Sequence, residues 1–351
     1  MISAPAWWSH RGAVALGLLP CSWLFGLAVR LRALAYRRGW LRRCRPPVFV
    51  LVVGNLNVGG SGKTPVVAAL ARALEARGVR CGIVSRGYGG NLEGTAEVPA
   101  EGDPACYGDE PVLLAREAQV PVVVGRARCA AVAELLRRHP DVRLVVADDG
   151  LQHLRLQRDF ELVVLDRGAL GNGWLLPAGP LREPLSRLRT VDAVVAHDPR
   201  QVRTLVPAGV PLHGLRLEPE ALVSLDDPSR RLPLAALSGR RVHAVAGIGR
   251  PERFFATLRA LGAEVVPHAF PDHHPYRAED LDFGAPGEWR IFTSKDAVKC
   301  RAYARPHDWV LTVRARLDEA LVERILERIH GHSSAGRAGM PAVQGAAQIR
   351  P

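Results

Sequence analysis

The chain has 351 residues, 48% of them apolar and 23% charged, and a formal net charge of +12. That length allows two domains of ordinary size, each with its own core, and the composition excludes a disordered chain or a multi-spanning membrane protein. Six cysteines (Cys21, Cys44, Cys81, Cys106, Cys129, Cys300) stand without a CxxC pair or metal-ligand spacing, so they read as reduced, mostly buried cytoplasmic thiols.

The charge is concentrated at one end. Residues 1–74 hold ten of the 47 Lys and Arg and no acidic residue, which leaves 37 basic against 35 acidic side chains in the rest. A nucleic-acid binder spreads basic side chains over a folded surface among exposed aromatics, which this distribution does not do. In residues 1–45 the expected element is a membrane-associated helix. Gly12 to Val29 is 18 residues without a charge, followed by RLRALAYRRGWLRRCR, seven arginines in 16 residues. The arginine and aromatic flank suits anionic headgroups on the cytoplasmic side. Pro20 near the middle of the apolar stretch predicts a kink, and the length is short for a span. A span, a re-entrant segment, an interfacial helix and a buried helix with a solvated basic face all fit. The arginines follow the apolar stretch instead of preceding it, which argues against a cleaved signal peptide.

Beyond Pro46-Pro47 strands and helices alternate, as in a doubly wound, mostly parallel α/β domain over residues 46–184. Val48–Val53 reads as a central strand covered on both faces. Further strands are expected at Cys81–Val84, Val120–Val124, Leu144–Ala147 and Leu162–Leu165. Helices are expected at Lys63–Arg77, Asp109–Ala118 and Arg126–Arg138. Gly168–Pro184 is dense in Gly and Pro and reads as a functional loop before a boundary. A second, smaller α/β domain follows over 185–330. Its strands are expected at Ala193–Ala196, Val242–Ala246, Glu264–Pro267, Arg290–Phe292 and Val310–Val313, its helices near Pro251–Leu261 and Asp318–Ile329. Residues 331–351, rich in Gly, Ala and Ser, read as a disordered tail.

The sharpest signal is Gly54-Asn55-Leu56-Asn57-Val58-Gly59-Gly60-Ser61-Gly62-Lys63-Thr64, between the first strand and a helix. Strand, glycine-rich turn and helix together make a phosphate cradle of the P-loop NTPase kind. Gly59, Gly60 and Gly62 let backbone N–H groups surround a phosphate, and the helix presents its positive end to the same anion. Asn57 and Ser61 complete the loop. Lys63 is placed to reach the β- and γ-phosphates of ATP, and Thr64 to ligate Mg²⁺. Asn57 stands where the strict pattern has glycine, and asparagine tolerates left-handed backbone angles better than most residues. A second Mg²⁺ ligand is expected from Asp148 and Asp149, which end the apolar run Leu144–Ala147; paired aspartates of this kind also cap helices.

Taken in order, GNLNVGGSGKTP, SRGYGG, GDEPVLLA, DDGLQH, DRGALGNGWLLPAGPLREP, AGIGRPERFF, FPDHHPY and SKDAVK resemble the tetraacyldisaccharide 4′-kinase family over about residues 10 to 300. Asn57 replaces an expected threonine and Ser294 an expected glutamate. The resemblance implies ATP-dependent phosphorylation of the 4′-hydroxyl of a tetraacyldisaccharide 1-phosphate, a lipid A precursor. It also implies work at the cytoplasmic face of the bacterial inner membrane, by a peripheral protein or one with a single N-terminal anchor. It pairs a catalytic aspartate of the GDEP block, Asp109, with a histidine of the FPDHH block, His273. Asp109 is then the candidate base for the acceptor hydroxyl, although at a helix start it also reads as a cap. His273, with Asp272 and His274, also reads as part of a solvated turn or an adventitious metal site. Arg86 is a candidate phosphate contact, of ATP or of the acceptor, and equally a surface arginine. Asn172 to Pro184 would present backbone and Arg182 to the sugar, or its leucines to the membrane. Membrane-associated partitioning or targeting ATPases share the glycine loop and the basic end, and form the alternative.

Overall fold

The computed structural model describes residues 5–60, 62–285 and 287–337, with side chains through Gly331. The chain begins with α1 (Ala13–Gly17) and α2 (Leu19–Arg37), then enters β1 (Phe49–Gly54), α3 (Lys63–Glu75), β2 (Cys81–Ser85) and β3 (Thr95–Glu97). Next come α4 (Pro104–Tyr107), α5 (Asp109–Glu117), β4 (Val122–Gly125), α6 (Arg128–Arg138), β5 (Leu144–Asp148) and β6 (Phe160–Leu165). They are followed by β7 (Ala193–Ala196), α7 (Pro199–Val202), β8 (Leu212–Ser224), β9 (Arg231–Leu232), β10 (Arg241–Ala246) and α8 (Pro251–Ala260). The last elements are β11 (Glu264–Ala269), β12 (Trp289–Thr293), α9 (Ser294–Cys300), β13 (Asp308–Leu317) and α10 (Glu319–Arg337).

The strands form a 13-stranded sheet in the order β11-β10-β12-β13-β8-β7-β6-β1-β5-β2-β4-β3, with β9 beside β8. It is mostly parallel; β13 on β8, β3 on β4 and β9 on β8 are the antiparallel pairs among the described residues. The α/β class and the mostly parallel sheet are as expected. Two details differ from the sequence reading. Ala193–Ala196, expected to open the second unit, pairs with β6 and extends the first half of the sheet. Strand β8 was missed, and it joins the two halves by pairing with β7 at its start and β13 along its length.

Strand β1 is buried throughout, and its side chains alternate between two cores. Phe49, Leu51 and Val53 pack with Val67 and Leu70 of α3 and Ile325 of α10, while Val50 and Val52 pack with Val132 and Leu135 of α6. Each such side chain contributes roughly 1.5–3 kcal/mol on burial, so a continuous apolar run is stable only at the centre of a covered sheet. Because β1 lies between β5 and β6, its carboxyl end opens at the crossover of the sheet, where α/β folds bind ligands.

At the N-terminus Pro20 does not kink a helix. It occupies the first turn of α2, where its missing N–H costs nothing. Ser22 and Gly26 are buried against the Gly168–Pro184 segment, and a Cβ at Gly26 would meet Leu175 Cδ1 at 2.8 Å. No helix among the described residues is long and apolar enough to cross a membrane. Cys44 and Cys129 form a disulfide across 85 residues with Cα atoms 6.2 Å apart, which corrects the all-reduced reading for this pair; Cys21, Cys81, Cys106 and Cys300 are free. Cys44 pairs with Leu156 as an isolated bridge beside the core, a proximity that spacing in the chain does not reveal. α10 continues through Arg337, so the tail expected from residue 331 starts as helix, and residues 338–351 lie outside the described residues.

Candidate active site

The loop after β1 forms the expected cradle. Gly59 (φ 99°) and Gly62 (φ 78°) adopt the left-handed backbone that only glycine takes readily, and Gly62 caps α3. Asn57 does not use the left-handed region. It is extended and bridges to Leu181, so the residue that departs from the strict pattern is held by a backbone pairing instead. Val58 N donates to Pro180 O (2.8 Å) and Arg182 N to Leu56 O (2.7 Å), so the Gly168–Pro184 segment buttresses the cradle. Ser61 lies outside the described residues. Lys63 and Thr64 form the first turn of α3, with Lys63 buried beneath the loop.

The parallel register sets Val53 of β1 beside Asp148 of β5, which brings the carboxylates to the mouth of the cradle. Ser85 Oγ donates to Asp148 Oδ2 at 3.0 Å, and Arg128 Nη2 donates to Asp148 O at 3.0 Å. Asp148 Oδ1 is buried without a hydrogen-bond partner. Burial, with the Glu110 and Asp149 charges, pushes this carboxyl up to about 7. Asp149 has a left-handed backbone (φ 47°) that turns its side chain elsewhere, 3.4 Å from Lys63 Nζ and 3.0 Å from Arg182 Nη1. Burial raises its carboxyl, but Lys63 and Arg182 outweigh burial and hold it down at about 2. An orphaned, desolvated carboxylate oxygen next to a second carboxylate, with a threonine in the first turn of α3, is a hard oxygen set that fits Mg²⁺, which takes few protein ligands and leaves positions for phosphate and water.

The second half of the sheet faces this mouth. A Cβ at Gly249 would lie 3.4 Å from Gly60 N and 3.8 Å from Asp272 Oδ2, so the loop after β10 abuts the cradle. Arg250 and Arg253 ion-pair with Asp166 after β6, at 2.8 and 2.9 Å, across the same seam. His273 also reaches across. Its Nδ1 lies 2.8 Å from Asp109 Oδ2 and 3.1 Å from Oδ1, and its own backbone is in the left-handed region (φ 61°), a strained geometry typical of sites where a side chain must be aimed. Asp109 is buried at the start of α5. Burial raises its carboxyl, and the His273 hydrogen bond with the Lys295 and Lys299 charges brings it below the ordinary range. Gly108 (φ 90°) is required there, because a Cβ would sit 2.5 Å from Tyr88 O.

Arg86 is exposed at the end of β2 and makes no hydrogen bond or ion pair among the described residues, which leaves its guanidinium available beside the mouth. It is near enough to Arg128 to act on its charge, and burial, then Arg128 and Arg86, push His153 down to about 4. Arg182 is bound to Asp149, and Leu181 is buried in the core, so this loop supports the acidic pair instead of offering those two residues to an acceptor. Lys295 and the arginine pair on Asp166 were not assigned roles from sequence. Lys295 lies in the SKDAVK block, and that block was the available signal.

A cradle for a nucleotide's phosphates, a divalent-cation oxygen set and an opposing Asp–His pair define a phosphotransferase of the P-loop class. The profile of the LpxK family, tetraacyldisaccharide-1-P 4′-kinase, matches residues 14–330, and the chain belongs to that family. It is 53% identical over 342 residues to the tetraacyldisaccharide 4′-kinase of Azoarcus sp., covering 95% of this chain and 98% of that one. It is 50% identical over 331 residues to that of Chromobacterium violaceum, covering 92% and 96%. Among solved structures it is similar to LpxK from Aquifex aeolicus in complex with ATP, with a TM-score of 0.77 and 33% identity over 90% of this chain and 99% of that one. The chain is thus a kinase that uses ATP with Mg²⁺.

Proposed function

We propose that the chain moves the γ-phosphate of ATP to the 4′-hydroxyl of a tetraacyldisaccharide 1-phosphate, with Asp109 as the base that receives the hydroxyl proton. The observation that carries this reading is the pair of buried Asp109 and half-buried His273, assembled from both halves of the sheet opposite the phosphate cradle. A partitioning or targeting switch needs the cradle and a water, and has no use for such a pair, which with the family membership favours transfer over the switch.

Phosphoryl transfer needs charge neutralisation and in-line placement more than covalent chemistry. Backbone N–H groups of Asn57, Gly59, Gly60 and Gly62 surround the phosphates, and Lys63 neutralises the β- and γ-oxygens. Mg²⁺ supplies further charge neutralisation, and Thr64, Asp148 and Asp149 are the residues that would hold it. Asp109, kept ionised below the ordinary carboxylate range, accepts the proton by position instead of by a raised pKa. His273 orients it. Arg86, exposed at the mouth, takes the acceptor's phosphate. Contacts from the second half of the sheet to the cradle and to Asp109 couple the chemistry to closure of its two halves, with β7 on the first half and β8 joining them.

In this reading α2 is the element that meets the cytoplasmic surface of the inner membrane. Ser22 and Gly26 dock on the protein, and Trp23 (70% exposed), Leu24 (68%), Leu27 (51%) and Leu31 (55%) form a stripe on the exposed surface, with Arg30 and Arg37 near by. Changing Trp23 and Leu27 together to glutamate should release most of the protein from vesicles rich in anionic lipid while leaving the melting temperature within a few degrees. Unchanged co-sedimentation would reject this surface as the anchor.

The decisive assay is label transfer from γ-labelled ATP to purified disaccharide 1-phosphate lipid. Labelled lipid should form with Mg²⁺ and fall to background with chelator. ATP consumption that ignores added lipid would favour the switch.

A further inference from the structure

His273 is held from two sides. Its Nδ1 faces Asp109, and its Nε2 lies 3.0 Å from Nζ of Lys295, the second residue of α9. Lys295 Nζ also lies 2.9 Å from Asp272 Oδ1 and 3.3 Å from Glu110 Oε1, with Asp109 Oδ2 at 3.9 Å. An ammonium has three N–H donors and no lone pair, and here three acceptors stand within reach: Asp272, Glu110 and His273 Nε2. Burial disfavours its charge, but Glu110, Asp109 and Asp272 outweigh burial and raise the Lys295 pKa, so the group stays an ammonium.

We propose that Lys295 is a positioning residue for phosphoryl transfer: by donating to His273 Nε2 it fixes the imidazole as the neutral Nδ1–H tautomer, which donates to Asp109. The inference rests on Asp109 and His273 acting as the pair described above. A ring nitrogen that accepts from an ammonium carries no proton, so the one proton of a neutral imidazole is on Nδ1. That excludes two unproductive states. The Nε2–H tautomer would turn a lone pair of Nδ1 against the carboxylate and release Asp109 from its orienting bond. The imidazolium would form a full ion pair with Asp109 and lower its basicity. With Glu110 N donating to Asp109 Oδ1 at 2.9 Å and His273 Nδ1–H to Oδ2, the carboxylate is held in one plane with a lone pair left for the acceptor's proton.

The other groups facing the imidazole do not replace Lys295. Asp272 Oδ1 is 3.8 Å from Nε2 and is already engaged by Lys295. Tyr88 presents its ring edge-on at 5.3 Å between centroids. Glu110 adds negative charge from α5, and Lys299 of α9 acts on Asp109 through its charge. Lys295 Nζ is the donor placed 3.0 Å from Nε2.

The test reads the tautomer directly in the full-length protein, from long-range ¹⁵N correlations of the histidine rings, with His273 assigned by its loss in His273→Gln. Wild-type His273 is expected as Nδ1–H. Lys295→Met should convert it to the Nε2–H or doubly protonated form and lower kcat about 10–100-fold, with the KM for ATP within about twofold. Lys295→Arg, which keeps charge and donors, should recover part of kcat. A wild-type ring protonated on Nε2, or a Lys295→Met protein with unchanged tautomer and kcat, overturns the proposal. If Lys295→Met fails to fold, the wild-type spectrum and Lys295→Arg still decide. Failure of the underlying pair shows differently, as near-normal kcat in His273→Ala, whichever tautomer the spectrum reports.

Discussion

Replacing Asp109 by asparagine should lower kcat for lipid phosphorylation by about 10²–10⁴-fold, the range spanned by losing a positioned base. The substitution keeps shape. Asparagine Oδ1 can still accept from His273 Nδ1–H, so the cross-seam hydrogen bond at 2.8 Å has a ready replacement, and the change is in basicity. ATP meets the cradle and not Asp109, so the KM for ATP should stay within a few-fold. Because the carboxyl is held below its ordinary value, ionised Asp109 adds stability above the unfolded-state pKa that is lost as pH falls through the folded-state value. The asparagine variant should therefore melt somewhat lower than wild type at neutral pH and approach it in acid. Single-turnover transfer from γ-labelled ATP is the measurement, and near-normal kcat would remove Asp109 as the base.

What could be read from the sequence follows how far apart the partners lie in the chain. The cradle is contiguous, and its glycines, lysine and threonine stand in one run between a strand and a helix, so local chemistry was sufficient. Asp148 and Asp149 were legible because an apolar run ending in carboxylates reads as a strand end, and the register of β5 on β1 then brings them to the mouth. Strand β8 was not legible: its middle, Arg216-Leu217-Glu218-Pro219-Glu220, is polar and broken by proline, and it is a strand because β13 pairs with it across about 90 residues. Asp109 and His273 are 164 residues apart, and no periodicity joins them; only resemblance did. Separation along the chain likewise hid Lys295, which is 185 residues from Glu110, the Asp166 arginine pair and the Cys44–Cys129 bond. Pro20 was misread for a different reason. The charge-free stretch conceals a boundary between α1 and α2, and a proline at a helix start looks, in sequence, like one in the middle.

Lys63→Met should abolish turnover by taking a charge out of the centre of the site. Two unit charges about 4 Å apart interact by about 4 kcal/mol at an effective dielectric near 20, so one lysine on the transferring phosphoryl group corresponds to roughly 10³ in rate. The lysine has a second tie, to Asp149 at 3.4 Å, and its loss leaves that carboxylate to Arg182 at 3.0 Å. Since Asp149 keeps a cation and is partly solvated, the cost to folding is small beside the cost to catalysis. Two measurements separate these effects. The melting temperature without nucleotide should stay within a few degrees of wild type, whereas the rise on adding ATP with Mg²⁺ should largely vanish, because a ligand stabilises only in proportion to its affinity for the folded state. A Lys63→Met protein that still melts higher with ATP but does not turn over would assign the lysine to the transition state alone; one that turns over normally would remove the cradle from the reaction.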